Sequence, residues 1–402
     1  MTAVNLSPTS IKKQVADVPL ALPLAHMSTL REIIHENVHE GELFEKLDRN
    51  WVRCFACGHC CKIPEGQPGV CRVRYNRGGC LFVPWGYVGG VQCDPIEKKP
   101  FFHAHPGALA YSFGMLGCDL HCGYCQNWVT SQALRDPAAV AGPMRVTPAE
   151  LVHDALRLGG RVIVSTYNEP LITSEWAIAV FKEARVSGLV TGFVSNGNGT
   201  PQVLEYVRPW VDLYKVDLKS FDDRHYRQLG GRLQPILDTI KSLYEMGFWL
   251  EIVTLVIPGF NDCNDELTRL AEFLAGVSPD IPWHVTAFHK DYKMTDPENT
   301  SAQTLMRAAE IGKTAGLRYV YAGNLPGMVG DWENTRCPNC RELLIGRHGY
   351  LITGYFLTPQ GCCPSCGASI PGRWDPAFRG QITDRPFVPL VRSQSDFLVL
   401  DF

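Results

Sequence analysis

An α/β fold built on a parallel sheet is what the sequence predicts, and three features carry that expectation. From residue 108 to 324, short runs rich in β-branched and aromatic residues alternate with amphipathic stretches of helical period, the pattern of repeated βα units. The conspicuous polar residues of this stretch fall just after the β-rich runs, where parallel α/β barrels keep their reactive groups. Cysteine-rich segments flank it at 54–80 and 337–366 and read as separate small modules.

Residues 1–27 show no periodicity and read as a loose N-terminal arm. Leu30, Ile33, Ile34, Leu43, Phe44 and Leu47 then predict one or two short amphipathic helices, completing a first segment of 1–50. A Cys-rich module follows at 51–107. It ends in a Gly/Pro-rich stretch that carries the unusual Asp94-Pro95-Ile96-Glu97-Lys98-Lys99-Pro100. The central unit is 108–330, with strands predicted at 110–114, 161–166, 190–194, 213–216, 249–257, 283–287 and 319–321. Helices are predicted at 148–158, 173–187, 201–209, 233–246, 264–276 and 301–315. The first strand ends in a cysteine loop, the second in Tyr167-Asn168-Glu169-Pro170, the third in Ser195-Asn196-Gly197 and the fourth in Asp217-Leu218-Lys219. The fifth ends at Pro258 to Asp262, the sixth carries His284, and the seventh ends in Gly323-Asn324, so all seven converge on one rim. A second cysteine module spans 331–372, and a Pro/Arg-rich tail fills 373–402.

Hydrophobic residues at 45% and charged residues at 20% place the chain among globular proteins. A net charge of -3 with pI near 6.5 gives no field that draws a protein onto nucleic acid or an anionic membrane, and neither is expected as a partner. The first apolar run, from Val18 to Ala25, is short and broken by Pro19 and Pro23, which suits neither a signal peptide nor an anchor. A cytoplasmic location is expected. Sixteen cysteines in a reducing compartment then point to metal ligation rather than disulfides.

The loop Gly117-Cys118-Asp119-Leu120-His121-Cys122-Gly123-Tyr124-Cys125 places three thiols on one short segment. A four-iron cubane held by three thiolates keeps one iron open, as a catalytic metal must. On that iron S-adenosylmethionine (SAM) can chelate through its amine and carboxylate, so that one-electron reduction of the sulfonium gives a 5'-deoxyadenosyl radical. A zinc site completed by His121 or another residue is the alternative. Zinc, however, is usually held by two ligand hooks brought together from a distance. Tyr124 is placed to stack on adenine.

With these residues in view, the chain from Cys54 to Cys366 resembles the radical SAM superfamily. Within it, the likeness is to the AmmeMemoRadiSam-system radical SAM enzymes, relatives of the pyruvate formate-lyase activating enzymes. Asp94 to Pro100, Gly117 to Asn127, Tyr167 to Pro170, Asp217 to Lys219, Pro282-Trp283-His284 and Tyr321 to Asn324 carry the resemblance. It implies a partial (β/α)6 TIM-like barrel with a 4Fe-4S cluster on Cys118, Cys122 and Cys125 and SAM at the rim. Asn168-Glu169 stands where relatives carry a Gly-Gly-Glu turn to the SAM ammonium, and Ser195-Asn196 lies in the matching rim loop. The resemblance also implies that Lys219 meets the SAM carboxylate with Asp217 as companion, and that His284 is a further contact. Val194 replaces an aspartate of the activating enzymes. A protein or peptide substrate, a flavodoxin- or ferredoxin-like donor and partner proteins of the AmmeMemoRadiSam system follow from the same likeness.

Cys337-x2-Cys340 and Cys363-x2-Cys366 have the paired-knuckle spacing of a zinc ribbon or rubredoxin-like site, with zinc expected and Cys362 leaving the register open. Cys54, Cys57, Cys61 and Cys71 suggest another closed site, for zinc or a second Fe-S cluster. Arg53, Lys62, Arg72, Arg74 and Arg77 surround it against Glu65 alone, a basic face on which an acidic electron donor could dock. His103 and His105, with Lys98 and Lys99, face either the rim or solvent. The rival to an enzyme is a non-catalytic Fe-S or zinc protein that senses redox state or binds a partner.

Overall fold

Seven parallel strands in sequence order form the centre of the computed structural model, which describes residues 29–139 and 142–374. The predicted arm and all but the start of the predicted tail lie outside the described residues. One further strand borders the sheet: β1 (Gly90–Pro95) runs antiparallel to β2 (Leu109–Gly114). Then come β3 (Val162–Ser165), β4 (Val190–Ser195), β5 (Leu213–Asp217), β6 (Trp249–Val256), β7 (Trp283–Ala287) and β8 (Val320–Gly323), each parallel to its predecessor.

Each parallel crossover carries a helix: α1 (Pro148–Arg157), α2 (Ser174–Val186), α3 (Pro201–Val207), α4 (Leu233–Glu245), α5 (Asn264–Val277) and α6 (Ala302–Thr314). Their starts are written locally. Thr147 and Glu150 form a capping box around α1 with Pro148 in its first turn, and Thr200 and Ser301 accept amide bonds at the starts of α3 and α6. No helix among the described residues is long and apolar enough to cross a membrane.

Strand alternation divides the sheet into two unlike faces. Tyr111, Phe113, Ile163, Phe193, Tyr214, Ile252 and Val285 point to the helices and form the main core. On the other face, Ala110, Val162, Val164 and Leu213 near the strand starts pack against Ile96, Phe101, Ala104 and Ala108 from the β1–β2 connection. That connection plugs one end of the inner face and leaves the carboxyl ends of the strands open. Asp94 to Pro100, singled out in the sequence, is thus the end of β1 followed by the plug.

The N-terminal region departs from expectation. Residues Leu30–Glu36 are helical, but Val38–Glu40 and Phe44–Lys46 are strands. They pair with Cys80–Pro84 and Val52–Cys54, so partners distant in sequence override a local spacing that also fits a helix. Arg74 is not part of a solvated basic face. It is 1% exposed and forms a two-pronged ion pair with Glu175 of α2 at 2.7 Å. His103 is fully buried rather than on the surface or rim, between Pro371 O at 2.7 Å and Tyr321 Oη at 2.6 Å. At the other end of the chain, Thr335–Arg336, Leu343–His348 and Leu351–Tyr355 form a three-stranded antiparallel sheet.

Candidate active site

The loop after β2 owes its path to two glycines. A Cβ on Gly114 would lie 2.4 Å from Thr166 O, so β2 and β3 approach at their ends as only glycine permits. Gly117 has φ of 93°, and a Cβ there would lie 2.7 Å from Val73 and 3.1 Å from Cys71 O. The cysteine loop is therefore pressed against the N-terminal module.

On this loop Cys118 Sγ accepts the Leu120 amide at 3.4 Å, and Cys125 Sγ lies 3.2 Å from Ser131 Oγ. Burial pushes the Cys122 thiol up to about 12, and burial followed by the Asp119 charge pushes Cys118 well above the ordinary range. Such sulfurs stay protonated unless a cation takes the proton's place.

Cys122 and Cys125 open on a cavity of about 440 Å³ at the carboxyl ends of the strands, the size of a small-molecule site. Tyr124 lines it too, its ring edge-on to Phe260 at 5.9 Å. From β5 come Lys215, Asp217 and Lys219. Asp217 contacts the Lys215 amine and lies 3.4 Å from the Lys219 amine. Burial works against the Asp217 carboxylate, yet the two lysines outweigh it and hold it below the usual carboxylate range. Burial likewise opposes charge on Lys219, and Asp217 reverses the balance. The result is a preformed pair of opposite charges facing the thiols.

The opposite wall is built around Lys99, one of the two lysines that the sequence leaves open between rim and surface. Lys99 Nζ donates to Asp94 Oδ2 at 2.9 Å and to Tyr167 Oη at 3.0 Å, and Tyr167 Oη donates to Gln92 Oε1 at 3.1 Å. Tyr167 has φ of 67°, a conformation rare outside glycine, which turns its ring onto this wall. The paired lysines of the Asp94–Pro100 motif were the available signal.

Five predicted contacts sit behind the rim instead of on the cavity. Asn168 Oδ1 accepts the Met115 amide at 2.9 Å. Glu169 accepts Ser195 Oγ at 2.7 Å, the Asn196 amide at 2.7 Å and the Leu171 amide at 3.1 Å. Burial, followed by Asp119, pushes Glu169 up to about 8. Asn196 Nδ2 in turn donates to Asp119 Oδ1 at 2.7 Å, beside Cys118. His284 faces Glu251 Oε2 at 2.7 Å and is 2% exposed.

At the C-terminal module, Cys337, Cys340, Cys363 and Cys366 bring their sulfurs within 4.8 Å of one another. Cys362 lies outside the group, which fixes the register. All sixteen cysteines are free thiols.

Residues 114–274 match the radical SAM superfamily, and the chain belongs to it. It is 38% identical over 339 residues to an uncharacterised protein of Methanocaldococcus jannaschii, spanning 83% of this chain and 99% of that one. It is 27% identical over 243 residues to the pyruvate formate-lyase-activating enzyme of Staphylococcus aureus, spanning 55% of this chain and 92% of the enzyme. A domain of the pyruvate-formate lyase-activating enzyme from Bacteroides vulgatus aligns with 41% of this chain and all (100%) of its own, at 22% identity and TM-score 0.37.

The superfamily implies an Fe-S cluster and SAM, and the residues present fit both. Soft sulfur donors suit iron, and the N–H and O–H groups aimed at them are the kind that tune cluster sulfurs. Unlike the C-terminal quartet, the three loop thiols do not draw together within 4.8 Å of one another. The Asp217–Lys219 pair complements an amine and a carboxylate.

Proposed function

We propose that the chain is a radical SAM enzyme of the AmmeMemoRadiSam branch, holding a 4Fe-4S cluster on Cys118, Cys122 and Cys125 and acting on a protein or peptide. When bound, the cluster supplies one electron to the SAM sulfonium, whose cleavage yields methionine and the adenosyl fragment that abstracts hydrogen. One observation carries the reading: Cys122 and Cys125 open on the same cavity as Asp217 and Lys219. Lys219 would hold the SAM carboxylate, Asp217 would accept from its amine, and Tyr124 would pack on the adenine. Glu169, Ser195 and Asn196 act through the loop, fixing Asp119 and thereby Cys118. His284 sets the inner face beneath the site.

Likeness to the activating enzymes supports a protein substrate and a flavodoxin- or ferredoxin-like donor. A closed four-thiol site with knuckle spacing supports structural zinc at the C-terminal module. Sixteen free thiols support a reducing, cytoplasmic setting.

The test is anaerobic reconstitution with iron and sulfide, followed by SAM and dithionite. Formation of 5'-deoxyadenosine and methionine is expected, falling to background in Cys122→Ala. Iron-loaded wild type that forms neither, or a variant that forms both as fast, overturns the reading.

A further inference from the structure

The N-terminal and C-terminal cysteine quartets share a count of ligands but not a geometry. Around a single zinc with Zn–S bonds of ~2.3 Å, tetrahedral ligands stand roughly 3.8 Å apart. The C-terminal sulfurs meet that, with Cys337–Cys366 and Cys340–Cys363 both at 3.6 Å. Cys54, Cys57, Cys61 and Cys71 are gathered as well: the Cys54 amide donates to Cys61 O at 3.0 Å, the amide of Val70, next to Cys71, reaches Cys61 Sγ at 3.5 Å, and Cys57 and Cys71 pack in one buried cluster. Yet no three of these four sulfurs lie within 4.8 Å of one another. A cubane requires that wider arrangement, because each thiolate takes a separate iron.

The surroundings also suit a cluster. Val70 N lies 3.5 Å from Cys61 Sγ, and the backbone amides of His59, Val73 and Arg74 offset part of the burial that pushes the Cys57 and Cys71 thiols up. Hydrogen bonds to cluster sulfurs are a protein's main means of tuning one. The buried Arg74 guanidinium, held by Glu175, also feels the Cys54 and Cys71 thiols, so the ion pair borders the sulfurs.

From the wide spacing of four converging thiols we propose that Cys54, Cys57, Cys61 and Cys71 bind a second four-iron cluster, packed against the Cys118 loop as the point of electron entry. Contact with that loop is direct. Cys71 O lies 3.1 Å from where a Cβ on Gly117 would be, and His59 Nε2 is 3.2 Å from Asp119 O. In the transfer, a low-potential flavodoxin or ferredoxin loses one electron. The second cluster gains it and then passes it to the metal on the Cys118 loop, returning to its oxidised state.

Metal and sulfide content of the full chain, reconstituted anaerobically, tests this without any turnover. Wild type is expected to hold about eight irons, about eight sulfides and about one zinc. The triple variant Cys118→Ala/Cys122→Ala/Cys125→Ala is expected to keep about four irons and a dithionite-dependent electron paramagnetic resonance signal. A triple variant without iron, alongside wild type with about two zincs, overturns the proposal. If the triple variant keeps its iron while wild type fails to cleave SAM, the second cluster stands and only the catalytic reading falls. For electron entry, Cys57→Ser/Cys71→Ser is expected to lose rapid reduction of the loop cluster by flavodoxin while dithionite still reduces it. Rapid reduction retained in that variant removes the entry role.

Discussion

Arg74 and Glu175 show how much one buried pair can decide. Their side chains are 1% and 2% exposed, and Arg74 also donates to Ile172 O at 3.1 Å, so the N-terminal module is tied by charge to α2. Breaking such a pair on one side leaves a charge in low dielectric, which costs about 3–5 kcal/mol, whereas replacing both partners with apolar residues is often neutral. Arg74→Met is therefore expected to lower the unfolding free energy by about 3–5 kcal/mol, and Arg74→Met/Glu175→Leu to recover most of it in urea titrations. A single variant as stable as wild type removes the argument. The run of basic residues around Arg74 reads as a solvated face, because a partner 101 positions away leaves no local trace. Residue types that carry chemistry were easier to read. Cys122, Cys125, Asp217 and Lys219 do meet on one cavity, since their spacing on a loop and a strand end fixes their direction. For Asn168 and Glu169 the sequence marks the place but not which way the side chains turn. Glu169 turns inward because three donors wait there.

At the scale of elements, helices α1 to α6 follow their predicted spans to within about two residues, because caps and period 3.6 are local properties. Strand β1 was not legible. It is an antiparallel edge strand at the end of the Gly/Pro-rich stretch, and only its pairing with β2 defines it. The polar residues it helps bury were equally hidden. Glu251 at the middle of β6 accepts the Phe102 and His103 amides at 2.9 Å and faces His284, holding the β1–β2 connection onto the inner face. Next to it, burial lowers His103 to about 4. A histidine depressed in the folded state stabilises above its unfolded value of 6.5 and loses that contribution as pH falls toward 4. The loss amounts to roughly 2–3 kcal/mol across that window. His103→Gln, which cannot take the proton, is expected to flatten the decline in stability from pH 6.5 to 4 by about that amount in urea titrations at each pH. An unchanged slope removes His103 as the sensitive group.

The whole molecule is held at the two ends of its sheet by the C-terminal module. Strands β1 and β8 are the sheet's edges and do not pair with each other. Phe102 from the β1–β2 connection and Tyr319 and Tyr321 at β8 pack into one cluster with Leu344, Ile345 and Ile352 of the module. Arg347 donates to Phe102 O at 2.8 Å and Thr335 Oγ1 at 2.8 Å, while the Arg373 amide donates to His103 O at 2.7 Å. The sequence marks this region as a separate unit, and its knuckles are indeed self-contained, but its contacts span up to 268 positions and could not be read along the chain. The module also reaches the cavity, where Tyr350 lines the rim and donates to Asn324 Oδ1 at 3.1 Å. A metal on its four thiols thus braces the hairpin that completes the far wall, away from the Cys118 loop. Cys340→Ser/Cys366→Ser is expected to lose that metal and to raise hydrogen–deuterium exchange in Val320–Gly323 and in the backbone of Phe102 and His103. Reductive SAM cleavage without a substrate is expected to persist, because the thiol loop and the Asp217–Lys219 pair are anchored elsewhere. If exchange in the two edge segments stays at the wild-type level after the metal is gone, the module does not clasp the sheet and serves only as its own small fold.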